Sequence, residues 1–110
     1  MELHEGLPAH NICILHGDDA FSIKREIRGM MDRFSSSSEA GLNTQRLDGR
    51  TAGLEEFQMA VSTLPFFGGG RLVILENMSV KMDKARQERF IKILDGAPES
   101  TQLVLVVDDH

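Results

Sequence analysis

Three stretches of the chain are apolar without alternating: Asn11–His16 (NICILH), Arg71–Glu76 (RLVILE) and Gln102–Val107 (QLVLVV). A strand covered on one face alternates polar and apolar positions, whereas one covered on both faces reads as a continuous Ile/Leu/Val run. The pattern therefore predicts strands of a parallel sheet, with Asn43–Asp48 (NTQRLD) as a fourth, more polar member. Between them lie three segments with helical spacing. Ile23, Ile27, Met30, Met31 and Phe34 form one stripe, Leu54, Phe57, Val61 and Leu64 a second, and Phe90, Ile93, Leu94 and Ala97 a third. Each stripe is wide enough to cover a sheet face. The resulting order, β-α-β-α-β-α-β with right-handed crossovers, predicts an α/β fold: a three-layer α/β sandwich built on a parallel sheet.

The punctuation agrees. Asp18 or Asp19 is positioned to cap the first helix, Ser35–Ser38 break it and read as a loop, and Gly96 and Pro98 stop the third. Pro65 ends the second helix or sits in its last turn. The sequence closes on Val107-Asp108-Asp109-His110 as the fourth predicted strand ends. Residues 1–110 are therefore expected to form a single domain that is a piece of a longer protein.

Composition narrows the function classes. With 17 acidic against 12 Lys and Arg residues, the net charge is −5, which repels a phosphate backbone at long range. Trp and Tyr are absent and the aromatics are six Phe, a poor supply for stacking on bases. A single cysteine, Cys13, excludes an internal disulfide and a multi-thiolate metal site. Cys13 lies within an apolar run and reads as a small core residue. No apolar stretch approaches membrane-spanning length, and Met1–His10 lacks the features of a signal peptide. A cytoplasmic protein without membrane contact is expected.

Open α/β folds keep their chemistry outside the carboxyl ends of the strands. Those ends carry Gly17-Asp18-Asp19, Asp48-Gly49, Glu76-Asn77 and Asp108-Asp109. A phosphate loop counted from Gly17 requires Gly, Lys and Ser or Thr at positions 22–24, where the chain has Ser22, Ile23 and Lys24. Two carboxylates also stand where backbone amides should face an anion, so nucleotide binding is disfavoured. Leu72–Asn77 has the outline of a Walker B strand, but without a phosphate loop Glu76 has no nucleotide-bound magnesium to organise and reads as a solvated strand end. The alternative is a receiver-like Mg-dependent phosphoacceptor domain. It finds its acidic pair in Asp18 and Asp19, but has Glu76 in place of an acceptor Asp and lacks the lysine after a fifth strand. His4, His10, His16 and His110 show no ligand spacing. No catalytic site and no cofactor are expected.

The segment Thr63-Leu64-Pro65-Phe66-Phe67-Gly68-Gly69-Gly70-Arg71 sets adjacent phenylalanines in a Pro/Gly loop. Either the rings fold back as a plug at the sheet edge, or they are presented as a wedge to a partner. As a wedge, each buried ring is worth roughly 1.5–3 kcal/mol, and paired anchors are what interface hot spots look like. Arg71 reads either as a partner at the loop base that orients it or as an ordinary surface arginine.

Together ILHGDDAFSIKREI, RLDG, LPFFGGGRLVILEN and PESTQLVLVV resemble the amino-terminal domain of the delta-subunit family of bacterial DNA polymerase III, in order and spacing over about Asn11 to Val107. The G-D-D-x-F start and the L-P-F-F-G-x-x-R-L-V loop are the specific parts. The resemblance implies a P-loop NTPase (AAA+)-like fold with a degenerate phosphate loop at Gly17, Asp18, Asp19 and Phe21, without ATP hydrolysis of its own. It implies a clamp-loader role in DNA replication, in which Leu64, Pro65, Phe66 and Phe67 bind the sliding clamp (beta subunit) and help open it. The implied partners are the other clamp-loader subunits, gamma/tau and delta prime, with DNA reached only through the full complex. The enzyme activity of the holoenzyme, a DNA-directed DNA polymerase, would be by association. The triple glycine is looser than the charged residues often found before the arginine in that family.

Overall fold

The computed structural model describes residues 2–3, 12–16, 19–34, 44–64, 70–79 and 81–108. Eight elements follow one another: β1 (Glu2–Leu3), β2 (Ile12–His16), α1 (Ala20–Phe34), β3 (Thr44–Asp48), α2 (Leu54–Ser62), β4 (Arg71–Ser79), α3 (Lys84–Asp95) and β5 (Thr101–Asp108). The five strands form one sheet in the order β1-β2-β5-β4-β3. β2, β5, β4 and β3 run parallel, as predicted from three unbroken apolar runs and the more polar fourth segment. β1 is an addition: it pairs antiparallel with β2, Glu2 opposite Leu15 and Leu3 opposite Ile14. Two residues carry no periodicity to read, so only the pairing defines this strand.

Alternate side chains of the same strands feed two separate cores. On one face Cys13, Leu15, Leu72, Ile74 and Val104 pack with Ile27 of α1. On the other, Ile12, Leu47, Val73, Leu75, Leu103 and Leu105 pack with Phe57, Ala60 and Val61 of α2 and Phe90, Ile93 and Leu94 of α3. Three layers result, with one helix on one side and two on the other. This division follows from the strand order. The crossover from β2 must pass β5 and β4 to reach β3, while the two later crossovers step back the opposite way; with one handedness throughout, they fall on the opposite face. The rings of Phe57 and Phe90 stack at 5.3 Å between centroids and join α2 to α3.

Two boundaries differ from expectation. The second helix stops at Ser62, not at Pro65, because Thr63 is already extended (φ −70°, ψ 129°). Its hydroxyl donates to the carbonyl of Met59 at 2.7 Å, and Leu64 precedes a proline, which disfavours helical backbone there. Leu64 is therefore no part of the buried stripe; it is 72% exposed. The strand β4 runs three residues past Glu76 to Ser79, crossing an irregularity between Leu75 and Met78 where Glu76 and Asn77 together oppose one residue of β5. Asn77 takes the left-handed conformation there (φ 55°), which Asn tolerates better than most residues. Ser35–Ser38 lie outside the described residues.

The turn after β3 is tied to this bulge. Asp48 accepts from the Arg50 amide (2.9 Å), from Arg50 Nε and Nη2 (3.1 and 2.9 Å), and from Asn77 Nδ2 (3.1 Å). The Gly49 amide donates to the Glu76 carbonyl at 2.6 Å. The backbones approach so closely that a Cβ on Gly49 would lie 2.9 Å from the carbonyl oxygens of both Glu76 and Asn77. Two residues before Asp48, Arg46 forms an ion pair with Glu76, Nε to Oε1 at 2.6 Å. Glu76 is thus half-buried and paired, not a bare solvated strand end.

Gly49→Ala is expected to destabilise the fold by about 1–3 kcal/mol, since the backbone of the bulge cannot yield as a flexible side chain would; the urea midpoint should fall at unchanged slope. The hydrogen bonds from the Arg50 side chain, the Arg50 amide and Asn77 hold the Asp48 carboxyl well below the usual aspartate range. A depressed folded value means that its contribution is fully present above that range and lost as the pH falls through it towards the folded value. The stability advantage of the native chain over Asp48→Asn should therefore shrink as the pH falls below about 5 in acid titrations followed by circular dichroism.

Candidate functional site

At the start of α1, Asp19 is the capping residue. Its Oδ1 accepts from the Ser22 amide at 3.1 Å and its Oδ2 from the Ser22 hydroxyl at 2.7 Å. The Ser22 hydroxyl, then the Ser22 amide, hold this exposed carboxyl below its ordinary range. A helix start that binds phosphate leaves its amides open to an external anion; here the chain's own carboxylate takes the Ser22 amide. Phe21, next in the helix, is 73% exposed, with the Arg25 guanidinium 5.7 Å from its ring centroid. Gly17 and Asp18 lie outside the described residues.

Two further acids of this edge have partners: Asp48 with Arg50 and Asn77, and Glu76 with Arg46. Among the described residues no group of three His, Cys, Asp or Glu side chains comes close enough to hold a metal ion. The strand order speaks against a receiver. In that fold the first parallel strand lies between the second and third, whereas here β2 neighbours β5, the last of the parallel strands, and β3 neighbours β4 alone among the described strands.

The edge also holds a cleft of about 370 Å³ that periodicity does not reveal. Phe57, Phe90, Met78 and Met82 contribute apolar walls, and Lys81 and Arg86 contribute cations.

The segment from α2 to β4 is built differently. Leu64 leaves the helix exposed, Met59 one turn earlier is equally exposed at 72%, and the chain returns at Gly70. Pro65, Phe66 and Phe67 lie outside the described residues. The two ends are linked by Arg71, which is only 5% exposed and so not a surface arginine. Its Nε donates to the Ala60 carbonyl in the last turn of α2 at 3.1 Å, and its Nη2 donates to Gln45 Oε1 on β3. Its backbone amide donates to the Ser100 carbonyl at 2.8 Å. A helix carboxyl end is the favourable place for a cation. Burial pulls the guanidinium down from its ordinary value, and two neutral oxygens partner it. Sequence spacing could have flagged Arg71 as the first residue of a buried strand; nothing in it identified Gln45.

Comparison with known proteins gives consistent results. A search of curated proteins finds no match. Among solved structures the chain is similar to the Bacillus subtilis DNA clamp loader delta protein, with a TM-score of 0.74 and 18% identity over 90% of this chain. The match spans 31% of that protein, so the likeness is to about a third of its length and concerns the fold alone. The family model for the delta subunit of DNA polymerase III matches residues 14–110, which covers all of the sheet except β1 and part of β2, together with every helix. On that match, the chain belongs to the family of DNA polymerase III delta subunits.

Proposed function

We propose that this chain is the amino-terminal, AAA+-like domain of a clamp-loader delta subunit, one that binds the sliding clamp through Leu64, Pro65, Phe66 and Phe67 and favours its opening without hydrolysing ATP. The observation that carries the reading is Leu64: a large apolar side chain 72% exposed, at the mouth of a Pro-Phe-Phe-Gly segment, on a helix end tied down by a buried arginine. An exposed apolar residue followed by two phenylalanines is suited to a partner's apolar pocket, where ring burial dominates affinity.

Opening follows from differential affinity. A wedge that bound the closed and the strained ring equally would shift nothing; the apolar tip must be complementary to the open form. The energy of ATP would enter through the other clamp-loader subunits, gamma/tau and delta prime, and DNA would be met only by the assembled complex. The absence of hydrolysis is supported by the failed phosphate-loop count from Gly17 and by Asp19, whose carboxylate occupies the amide face of α1. A cytoplasmic location accords with this role; no described helix is long and apolar enough to cross a membrane.

The test is a pull-down against the sliding clamp of the same organism. Phe66→Ala combined with Phe67→Ala is expected to lower clamp affinity by about a hundredfold or more, each anchor being of hot-spot size, with an unchanged circular dichroism spectrum. Clamp binding retained by the folded double variant overturns the site.

A further inference from the structure

We propose that Gln45 and Arg71 are positioning residues for the docking segment that begins at Leu64, an inference that rests on the clamp-binding reading above. Helices commonly end on a left-handed glycine that satisfies the last carbonyls. The helix α2 does not: Thr63 is extended, and the carbonyls of Met59 and Ala60 are taken by the side chains of Thr63 and Arg71. The direction in which the chain leaves α2 is therefore set by a residue that lies beyond the segment, at the first position of β4.

Arg71 is in turn held by Gln45, 26 residues earlier on β3, whose Oε1 accepts from Nη2. Gln45 and Arg71 lie on the α2 side of the sheet, on the same faces of their strands as buried Leu47 and Val73. Removing the Gln45 acceptor leaves a buried guanidinium short of a partner, which is costly. Glycine loses more conformational freedom on ordering than any other residue, and three of them, Gly68, Gly69 and Gly70, follow the two phenylalanines in sequence. Fixing both of its ends before the partner arrives lowers the ordering cost of binding. Gln45 and Arg71 thus act on clamp affinity through preorganisation, without touching the clamp.

Gln45→Met keeps the length of the side chain and removes the acceptor; Gln45→Glu restores an acceptor and adds a charge partner. Clamp affinity is measured well below the melting midpoint, alongside amide hydrogen exchange at Thr63, Leu64 and Gly70. Gln45→Met is expected to lose about tenfold in clamp affinity and to exchange faster at those amides, while Gln45→Glu stays within about twofold of the native chain. Arg71→Lys, which can reach one acceptor but not bridge two, should follow Gln45→Met; should it fail to fold, Gln45→Met decides. A merely structural pair would lower the melting midpoint and leave the affinity of the folded protein unchanged, and that result overturns the proposal. If Gln45→Met binds normally while the Phe66/Phe67 double variant does not, positioning fails and the clamp reading stands. If the double variant itself binds normally, the clamp reading fails and the positioning role falls with it.

Discussion

Burial of β4 on both faces is the constraint around which the molecule is arranged. Leu72 and Ile74 point into the α1 side, Val73 and Leu75 into the α2–α3 side, and all four are nearly or wholly removed from solvent. A strand so enclosed has no polar side chain with which to adjust, so the adjustments are made at its two ends. At its entry the side chain of Arg71 reaches back to α2 and across to β3. At its exit Glu76 and Asn77 bulge, and the turn after β3 closes onto them. The apolar middle fixes where the strand lies; the polar ends fix what is attached to it.

The parallel strands, the three helices and the three layers were legible because each rests on a period that survives in one dimension. Unbroken Ile/Leu/Val marks two-sided burial, and Ile23, Ile27, Met30 and Met31 of the α1 stripe cover one face of the sheet while the α3 stripe covers the other. The features that escaped depend on contacts between distant residues. β1 exists through its pairing with Leu15 and Ile14, and the fate of Leu64 was decided by Thr63 and by the proline after it. Arg71 and Glu76 were each seen as single residues; their meaning came from Gln45, Ala60 and Arg46.

The strings that carry the family resemblance also acquire a physical sense. Arg46, Asp48 and Gly49 of RLDG touch Glu76 and Asn77 at the end of LVILEN, so two motifs 30 residues apart form one contact. Leu47, between them, is core. In the L-P-F-F-G-x-x-R-L-V string, the arginine is the buried tether and the leucine and valine after it fill opposite faces of the sheet. Part of what makes the family recognisable is therefore scaffold. At the acidic edge, Asp19, Asp48 and Glu76 each serve a partner within the fold.

The two borders of the sheet are unequal. Beside β2 runs the short reversed strand β1, whereas β3 is the last described strand on the opposite side, and of its five residues only Leu47 is buried. Arg46, exposed on that border strand, is engaged with Glu76. A second polypeptide attempting to add itself as another strand there would have to dehydrate that charged couple without being offered an apolar strip in return, so the described border is poorly suited to runaway strand addition.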